Sequence, residues 1–184
     1  GRILLTAGSG TNDFELNSIP LNDLFIDVGG DARVDFNLAG DVVKINGDFG
    51  IKSRSERPVR LRDKVFKIKG DLIVDISSPE MTQEDRSHFV FNGEGKQRIV
   101  NSGYDGPGLF RNIAVDNISG IEISGGSICF DGYLHFEKGI IKSAYDSMLK
   151  LGPGSTISSY SDENKTYVKG PLGIYFAGEN KEMN

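Results

Sequence analysis

The chain has 184 residues, 38% of them hydrophobic and 26% charged, and a formal charge of −5, a balance that suits one folded domain and excludes a disordered or fibrous chain. Its acidity, with a pI near 5.1, argues against a dedicated binder of nucleic acid or anionic membrane, whose surface would be basic. No apolar run reaches the roughly 18 residues of a membrane helix, and the single cysteine, Cys129, excludes an intrachain disulfide framework or a zinc site built of several thiolates.

In chain order, Gly1 to Thr6 reads as the middle of a strand, so residues 1–184 are expected to be a single segment of a larger protein. Alternating apolar positions recur at Val34-Asp-Phe36, Val43-Lys-Ile45, Phe89-Val-Phe91, Ile121-Glu-Ile123 and Leu149-Lys-Leu151, the two-residue period of strands with one buried face. Eighteen isoleucines against six alanines favour strand over helix, because β-branched side chains lose rotamer freedom in a helix. The one helical candidate runs from Ser78 to Arg86, where a capping serine precedes proline and acidic residues. Polar stretches near 79–88 and 101–108 are expected to be insertions.

A fixed spacing organises the strands. Val43-Lys-Ile45-Asn-Gly47-Asp-Phe49 recurs as Phe66-Lys-Ile68-Lys-Gly70-Asp-Leu72 and again from Phe89-Val-Phe91-Asn-Gly93, so Gly47, Gly70 and Gly93 stand 23 residues apart. A fourth copy, Ile128 to Phe136, keeps its glycine, Gly132, 39 residues on. A period near 23 fits one coil of a parallel β-helix (β-solenoid), three short strands with their turns, stacked about 4.8 Å above the coil before. The length then allows 8 coils at most. Gly47, Gly70, Gly93 and Gly132 are read as one corner of successive coils, where the chain either takes a positive φ or passes close to its neighbour. The alternative all-β architecture is a β-sandwich, whose strands have no reason to hold one pattern at equal intervals.

From Phe89 to Gly173 the text resembles a known family. Phe91-Asn-Gly-Glu-Gly-Lys-Gln97, Phe110-Arg-Asn-Ile-Ala-Val-Asp-Asn117, Gly120-Ile-Glu-Ile-Ser-Gly125, Phe130-Asp-Gly-Tyr-Leu-His-Phe136 and Tyr167-Val-Lys-Gly-Pro-Leu172 follow the order and spacing of the long repetitive surface proteins that Bacteroidetes bacteria export through the type IX secretion system. The resemblance implies a parallel β-helix module of a large adhesin-like protein on the outer face of a Gram-negative cell or in the medium. Asp146-Ser147-Met148 resembles the short O-glycosylation signal of such proteins, with Ser147 as acceptor.

Residues that carry chemistry are sparse. Asp27, Asp35, Asp48, Asp71 and Asp75 are the carboxylates to weigh for general acid and base work or for calcium, with Asp48 and Asp71 one repeat apart. Turns favour the same residue types, so solvated corners are the simpler reading. His88 and His135 are expected to be exposed, and Cys129 to face away from Ile128 and Phe130. The basic run Lys52 to Lys64 fits an anionic glycan or a solvated, aggregation-resistant edge, the second being the commoner case. Tyr104, Tyr145 and Tyr160 lie in turn-like text where a ring can stack on a sugar.

The expected function is therefore non-enzymatic: a structural stalk with glycan or surface binding, no catalytic residues, no metal and no cofactor. Its expected partners are adjacent domains of the same chain, glycans or cell surfaces, and components of the secretion system. The alternatives are a polysaccharide lyase or hydrolase, which requires carboxylates on successive coils beside Arg or Lys, and a cargo captured with its translocon.

Overall fold

A computed structural model describes residues 1–16, 20–38, 40–55, 59–77, 87–106, 110–159 and 166–175. Every regular element among the described residues is a strand: β1 (Arg2–Ala7), β2 (Thr11–Leu16), β3 (Asp23–Val28), β4 (Arg33–Leu38), β5 (Val42–Ile45), β6 (Phe49–Ser53), β7 (Val59–Arg60), β8 (Val65–Ile68), β9 (Leu72–Ile76) and β10 (His88–Phe91). The second half holds β11 (Gln97–Asn101), β12 (Asn112–Asp116), β13 (Ile121–Ser124), β14 (Ile128–Phe130), β15 (Tyr133–Lys138), β16 (Ile141–Lys142), β17 (Leu149–Leu151), β18 (Thr156–Ser159), β19 (Val168–Lys169) and β20 (Leu172–Ile174). The helical candidate falls within 78–86, outside the described residues.

These strands build three faces of a β-solenoid. The long sheet runs β1-β3-β6-β9-β11-β13-β16-β19 and the second sheet β18-β15-β12-β10-β8-β5, while β2-β4-β7 and β14-β17-β20 form two separate pieces. In chain order the rungs before β9 and after β12 pass from the long sheet through one of these pieces toward the second sheet, so the two pieces occupy the same place in the coil and belong to one interrupted third face. All strand pairings are parallel, for example Val43↔Phe66 and Phe89↔Phe66, which fits successive coils and not the antiparallel pairing of a β-sandwich.

The 23-residue period is a property of the second sheet near its start. Val43, Phe66 and Phe89 are register partners 23 residues apart, and the next step, Phe89 to Ile113, is 24. In the long sheet the step varies, from 20 between Ile121 and Ile141 to 27 between Leu72 and Ile99. The polar stretches near 79–88 and 101–108 lie between β9 and β10 and between β11 and β12. The second-sheet steps across them stay at 23 and 24 residues, and among the described residues these two rungs add no strand to the third face, which is therefore recorded in two pieces while the other two sheets are continuous.

Alternation sends one set of side chains into the tube. Leu24, Ile26, Val28, Phe49, Leu72, Ile99, Phe91, Phe130 and Leu134 are at most 2% exposed, and each buried side chain of this size contributes about 1.5–3 kcal/mol relative to an exposed one. Phe49 and Phe66 stack with ring centroids 5.0 Å apart, Phe89 continues the stack 5.7 Å from Phe66, and Phe110 closes it edge-on. Further along, polar side chains enter the interior and are satisfied there. Gln97 accepts from the Gly93 N–H and from Asn117 Nδ2, both at 2.8 Å, and donates to the carbonyls of Ile68 and Gly70. Asn101 is likewise fully engaged, donating to the carbonyls of Tyr104 and Ser127 and accepting from the Gly103 N–H.

The corner glycines answer the question of why glycine is needed. Positive φ is recorded at other glycines, such as Gly120 and Gly139, and not at Gly47, Gly70, Gly93 or Gly132. What excludes a side chain is the neighbouring coil: a Cβ on Gly47 would stand 2.8 Å from the Asn22 carbonyl oxygen, and one on Gly70 2.5 Å from that of Gly47. Gly47, Gly70 and Gly93 share the corner between second and long sheets. Gly132 does not: it lies between β14 and β15, where the third face turns into the second sheet, against the Arg111 carbonyl. The fourth copy therefore repeats the pattern at a different corner. Substituting Gly70 by Ala is expected to cost about 2 kcal/mol or more through overpacking, whereas Gly95→Ala, with open space around the new Cβ, is expected to stay within about 0.5 kcal/mol of wild type. Urea unfolding of the two variants measures the contrast, and equal losses would refute the crowded corner.

Candidate functional site

Beside the glycine corner runs a column of charged side chains on the outer face of the long sheet. Asp23 Oδ1 accepts the backbone N–H of Asp48 at 3.0 Å, Asp48 Oδ1 that of Asp71 at 2.7 Å, and Asp71 Oδ1 that of Arg98 at 2.8 Å. Arg98 then grips Asp71 Oδ2 through Nε at 2.8 Å and Nη2 at 2.6 Å. Asp48 and Asp71 do stack on adjacent coils, but as a ladder in which each carboxylate caps the main chain of the next coil. Their Oδ1 atoms are taken, and Asp71 has both oxygens bound. A calcium ion or a transferable proton would have to displace these bonds.

Two columns further out, Asp27, Lys52 and Asp75 stand in register on β3, β6 and β9. Between the columns lies an apolar row of Leu4, Phe25, Gly50, Ile73 and Val100. Gly50 opens a notch in this row that the Phe25 ring covers, a cross-strand aromatic shielding a glycine. The Arg2 guanidinium sits 3.8 Å over that ring, a cation–π contact. The result is a shallow groove of about 320 Å³, lined by Arg2, Leu4, Phe25, Asp27, Gly50, Lys52, Ile73, Asp75 and Ser102.

The charges of the groove neutralise one another. Lys52 Nζ lies 3.5 Å from Asp27, and Arg54 holds both oxygens of Asp75 at 2.8 and 2.5 Å. The Arg54 hydrogen bonds pull the Asp75 carboxyl below the usual range, and Lys96 does the same to Glu122. A general acid needs the opposite shift. The rest of the basic run behaves similarly: Arg62 reaches the buried carboxylate of Asp35 at 3.5 Å, which Arg33 contacts at 3.0 Å, and Lys64 lies 3.6 Å from Asp41. Arg62 and Asp63 both have positive φ, at 59° and 57°. This is a costly conformation for residues with side chains, and in it Arg62 faces Asp35. Among the described residues of the run, Lys52, Arg54, Arg62 and Lys64 are thus each tied to a carboxylate of a neighbouring coil.

The other residues singled out in the sequence are scattered. Tyr104 is half-buried, and burial raises its pKa; Tyr145 is 87% exposed on a turn. Tyr160 lies outside the described residues. The sequence therefore missed the aromatic of the groove, Phe25, whose signal was its place in the register columns. Ser147 is 7% exposed, with backbone bonds in both directions to Ala144, a placement that weighs against its modification in the folded chain. Cys129 points away from the tube as expected yet is fully buried. The loop carrying Tyr104 and Asp105 adjoins it, with Asp105 bonded to Lys150, the register partner of Cys129, at 2.6 Å.

His135 does face outward, and it is hydrogen-bonded: Nδ1 contacts Ser158 Oγ at 2.8 Å and Nε2 contacts Glu137 at 3.1 Å. The order is that of nucleophile, base and acid, but Ser158 is solvent-exposed on the outer face of the second sheet.

Comparison of the chain with protein-family models, with curated proteins and with solved structures returns no match.

Two outcomes test this geometry. Because the Asp75 pKa is depressed in the folded state, its pairing stabilises the fold above the unfolded carboxyl value of about 3.9, and that contribution is lost as pH falls through the lower folded value. The stability gap between wild type and Asp75→Asn, from urea melts, is expected to be constant from neutral pH to about pH 5 and to shrink below about pH 4; a pH-independent gap would count against the pair. Burial pushes the Cys129 thiol to about 11, so at pH 8 a disulfide reagent should label it only on unfolding. Stoichiometric labelling of the native chain within seconds would show that the loop does not cover it.

Proposed function

We propose that the chain is a non-enzymatic rod segment of a larger surface-exposed or secreted protein of a Gram-negative bacterium, with the neighbouring parts of the same polypeptide as its first partners. The observation that supports this best is the state of its last rungs. Ile157, Leu172 and Ile174 occupy the inward columns of Leu134, Leu149 and Leu151, but they are 44%, 43% and 62% exposed. These side chains have the alternation of a core with no next rung above them among the described residues. Covering them with a further coil would add stabilisation on the order of a few kcal/mol and pair the free edges of β18, β19 and β20. The adhesin-like setting and export through the type IX system rest on the resemblance in residues 89–173. Capture of the chain as secretion cargo rests on that resemblance too.

A second reading has one observation in its favour. Asp23, Asp48 and Asp71 lie on successive coils beside Arg98, and Asp27 and Asp75 flank Lys52 across a groove, the placement that a polysaccharide lyase or hydrolase requires. The engagement of Asp71 and Asp75 by arginines weighs against it, since the carboxylates that move in pKa move away from the protonated form.

Hydrogen exchange distinguishes the rod segment from a self-contained unit. In the 184-residue chain alone, amides of β19 and β20 should exchange at least about 100-fold faster than those of β9 and β11, and in the parent protein that difference should largely vanish. Equal protection in both settings would overturn the proposal. So would release of reducing ends or unsaturated uronates from polysaccharides by the purified chain, if Asp75→Asn abolished it.

A further inference from the structure

Among the described residues, Arg33, Lys52, Arg54, Arg62, Lys64, Lys96, Arg98, Lys138 and Lys150 each have a carboxylate within ion-pair distance. No such contact is recorded for Lys142 and Lys169, register partners that share their column with Glu122, or for Lys44, Lys67 and Lys69, although acidic residues outnumber basic ones by 26 to 21; the last three have no carboxylate in their column. All three are exposed. Lys44 and Lys67 are direct register partners on β5 and β8, one strand spacing of about 4.8 Å apart. Lys69 follows at the end of β8, two residues from Lys67 and hence on the same face.

Like charges directly opposite each other on a sheet are destabilising. Edge protection accounts for a lysine on β5, the outermost strand of the second sheet. It does not account for Lys67, which is one strand in. The neighbouring outward positions do not relieve the repulsion: Val65, Val90, His88, Asn112 and Ala114 carry no carboxylate. Partial burial lowers the His88 pKa, disfavouring its charged form. The first carboxylate along this face, Asp116, is bound to Lys138 at 2.9 Å.

We infer that Lys44, Lys67 and Lys69 form a binding site for the carboxylate groups of an acidic polysaccharide lying across β5 and β8 on the outer face of the second sheet. Bound anions would relieve a repulsion that the folded chain otherwise retains. Ammonium groups act as flexible point charges suited to anionic groups without fixed geometry. The net charge of −5 favours this ligand over nucleic acid, because duplex DNA carries one charge per about 1.7 Å and meets the acidic remainder of the surface, whereas a uronate chain carries one per sugar and engages the patch within the roughly 8–10 Å reach of unscreened charge.

The test uses polygalacturonate, neutral dextran, double-stranded DNA and phosphatidylglycerol vesicles as probes at about 20 mM and 150 mM salt, against wild type and Lys44→Glu/Lys67→Glu. Polygalacturonate should bind the wild type, weaken at the higher salt and bind the double variant at least about tenfold more weakly. The single variant Lys67→Glu, which places a carboxylate opposite Lys44, should raise the urea midpoint while weakening binding, so a loss of binding is separated from a loss of folding. Absence of polygalacturonate binding at low salt would overturn the inference. The same holds for undiminished binding to the double variant, for equal binding of dextran, or for a preference for DNA or vesicles that depends on these lysines. None of these results bears on whether further rungs cover β18 to β20.

Discussion

Parallel coils stacked in register bring main chain against main chain at every corner, and the space left there decides which residues the chain can carry. Between the second and long sheets the Gly47 N–H donates to the Asn22 carbonyl at 2.6 Å and the Gly70 N–H to the Gly47 carbonyl at 2.8 Å. Backbones this close leave no volume for a Cβ. The aspartates that follow complete the same corner from outside, because a carboxylate one residue past each glycine reaches the next N–H up the stack. The Gly-Asp pair is one device in two parts, the first removing a clash and the second satisfying a donor. At Gly93 the direct glycine-to-glycine bond gives way to a bridge, in which Gln97 accepts the Gly93 N–H and donates to the Gly70 carbonyl.

That corner also determines what the outer surface can do. Register converts a repeat in sequence into a column in space, so a charge placed once per coil meets the charge of the next coil at about 4.8 Å. On the long sheet the column of Asp27, Lys52 and Asp75 alternates in sign, Lys52 closes with Asp27 and Arg54 with Asp75, and the groove beside them is left electrically quiet. On the second sheet, Lys44 over Lys67 repeats the same sign. A solenoid surface is thus patterned by which sequence positions change between coils, and places where the sign does not alternate are where an outside charge gains most.

Much of the fold was legible in the sequence because inward alternation and corner glycine repeat together. The strands at Val43, Phe66 and Phe89 were read from a spacing that the register reproduces residue for residue. One pattern does not mark one position. Ile128 to Phe136 has the same apolar and glycine text as Val43 to Ile51, but every corner of a parallel solenoid brings main chains close, so glycine marks a corner without saying which one. The 39-residue step from Gly93 to Gly132, out of phase with 23, was the available sign. The groove was less legible. Phe25, Gly50 and Ile73 are 25 and 23 residues apart and no two are alike, so they form a row only once the register is known. The tyrosines were singled out for residue type alone, and nothing in a turn's composition brings distant turns together.

The interrupted third face shows why two sheets suffice to hold the coil while the third varies. The long and second sheets run without a break past the two rungs that have no third-face strand among the described residues, and the Phe49–Phe66–Phe89–Phe110 stack runs from the preceding rung into them, contributed by both sheets and by the return to the second sheet. With the core filled from two sides, the third side needs only to return the chain. It can do so as a strand, as in β4 and β17, or as a loop such as the one around Tyr104, whose carbonyl is held by the buried Asn101 side chain. That latitude explains how a loop comes to lie over the neighbouring third-face strand at Cys129 without disturbing the register of the other two sheets. It also makes the third face the place where this architecture accepts new sequence at least cost, since a change of length there leaves the corner contacts between second and long sheets as they are.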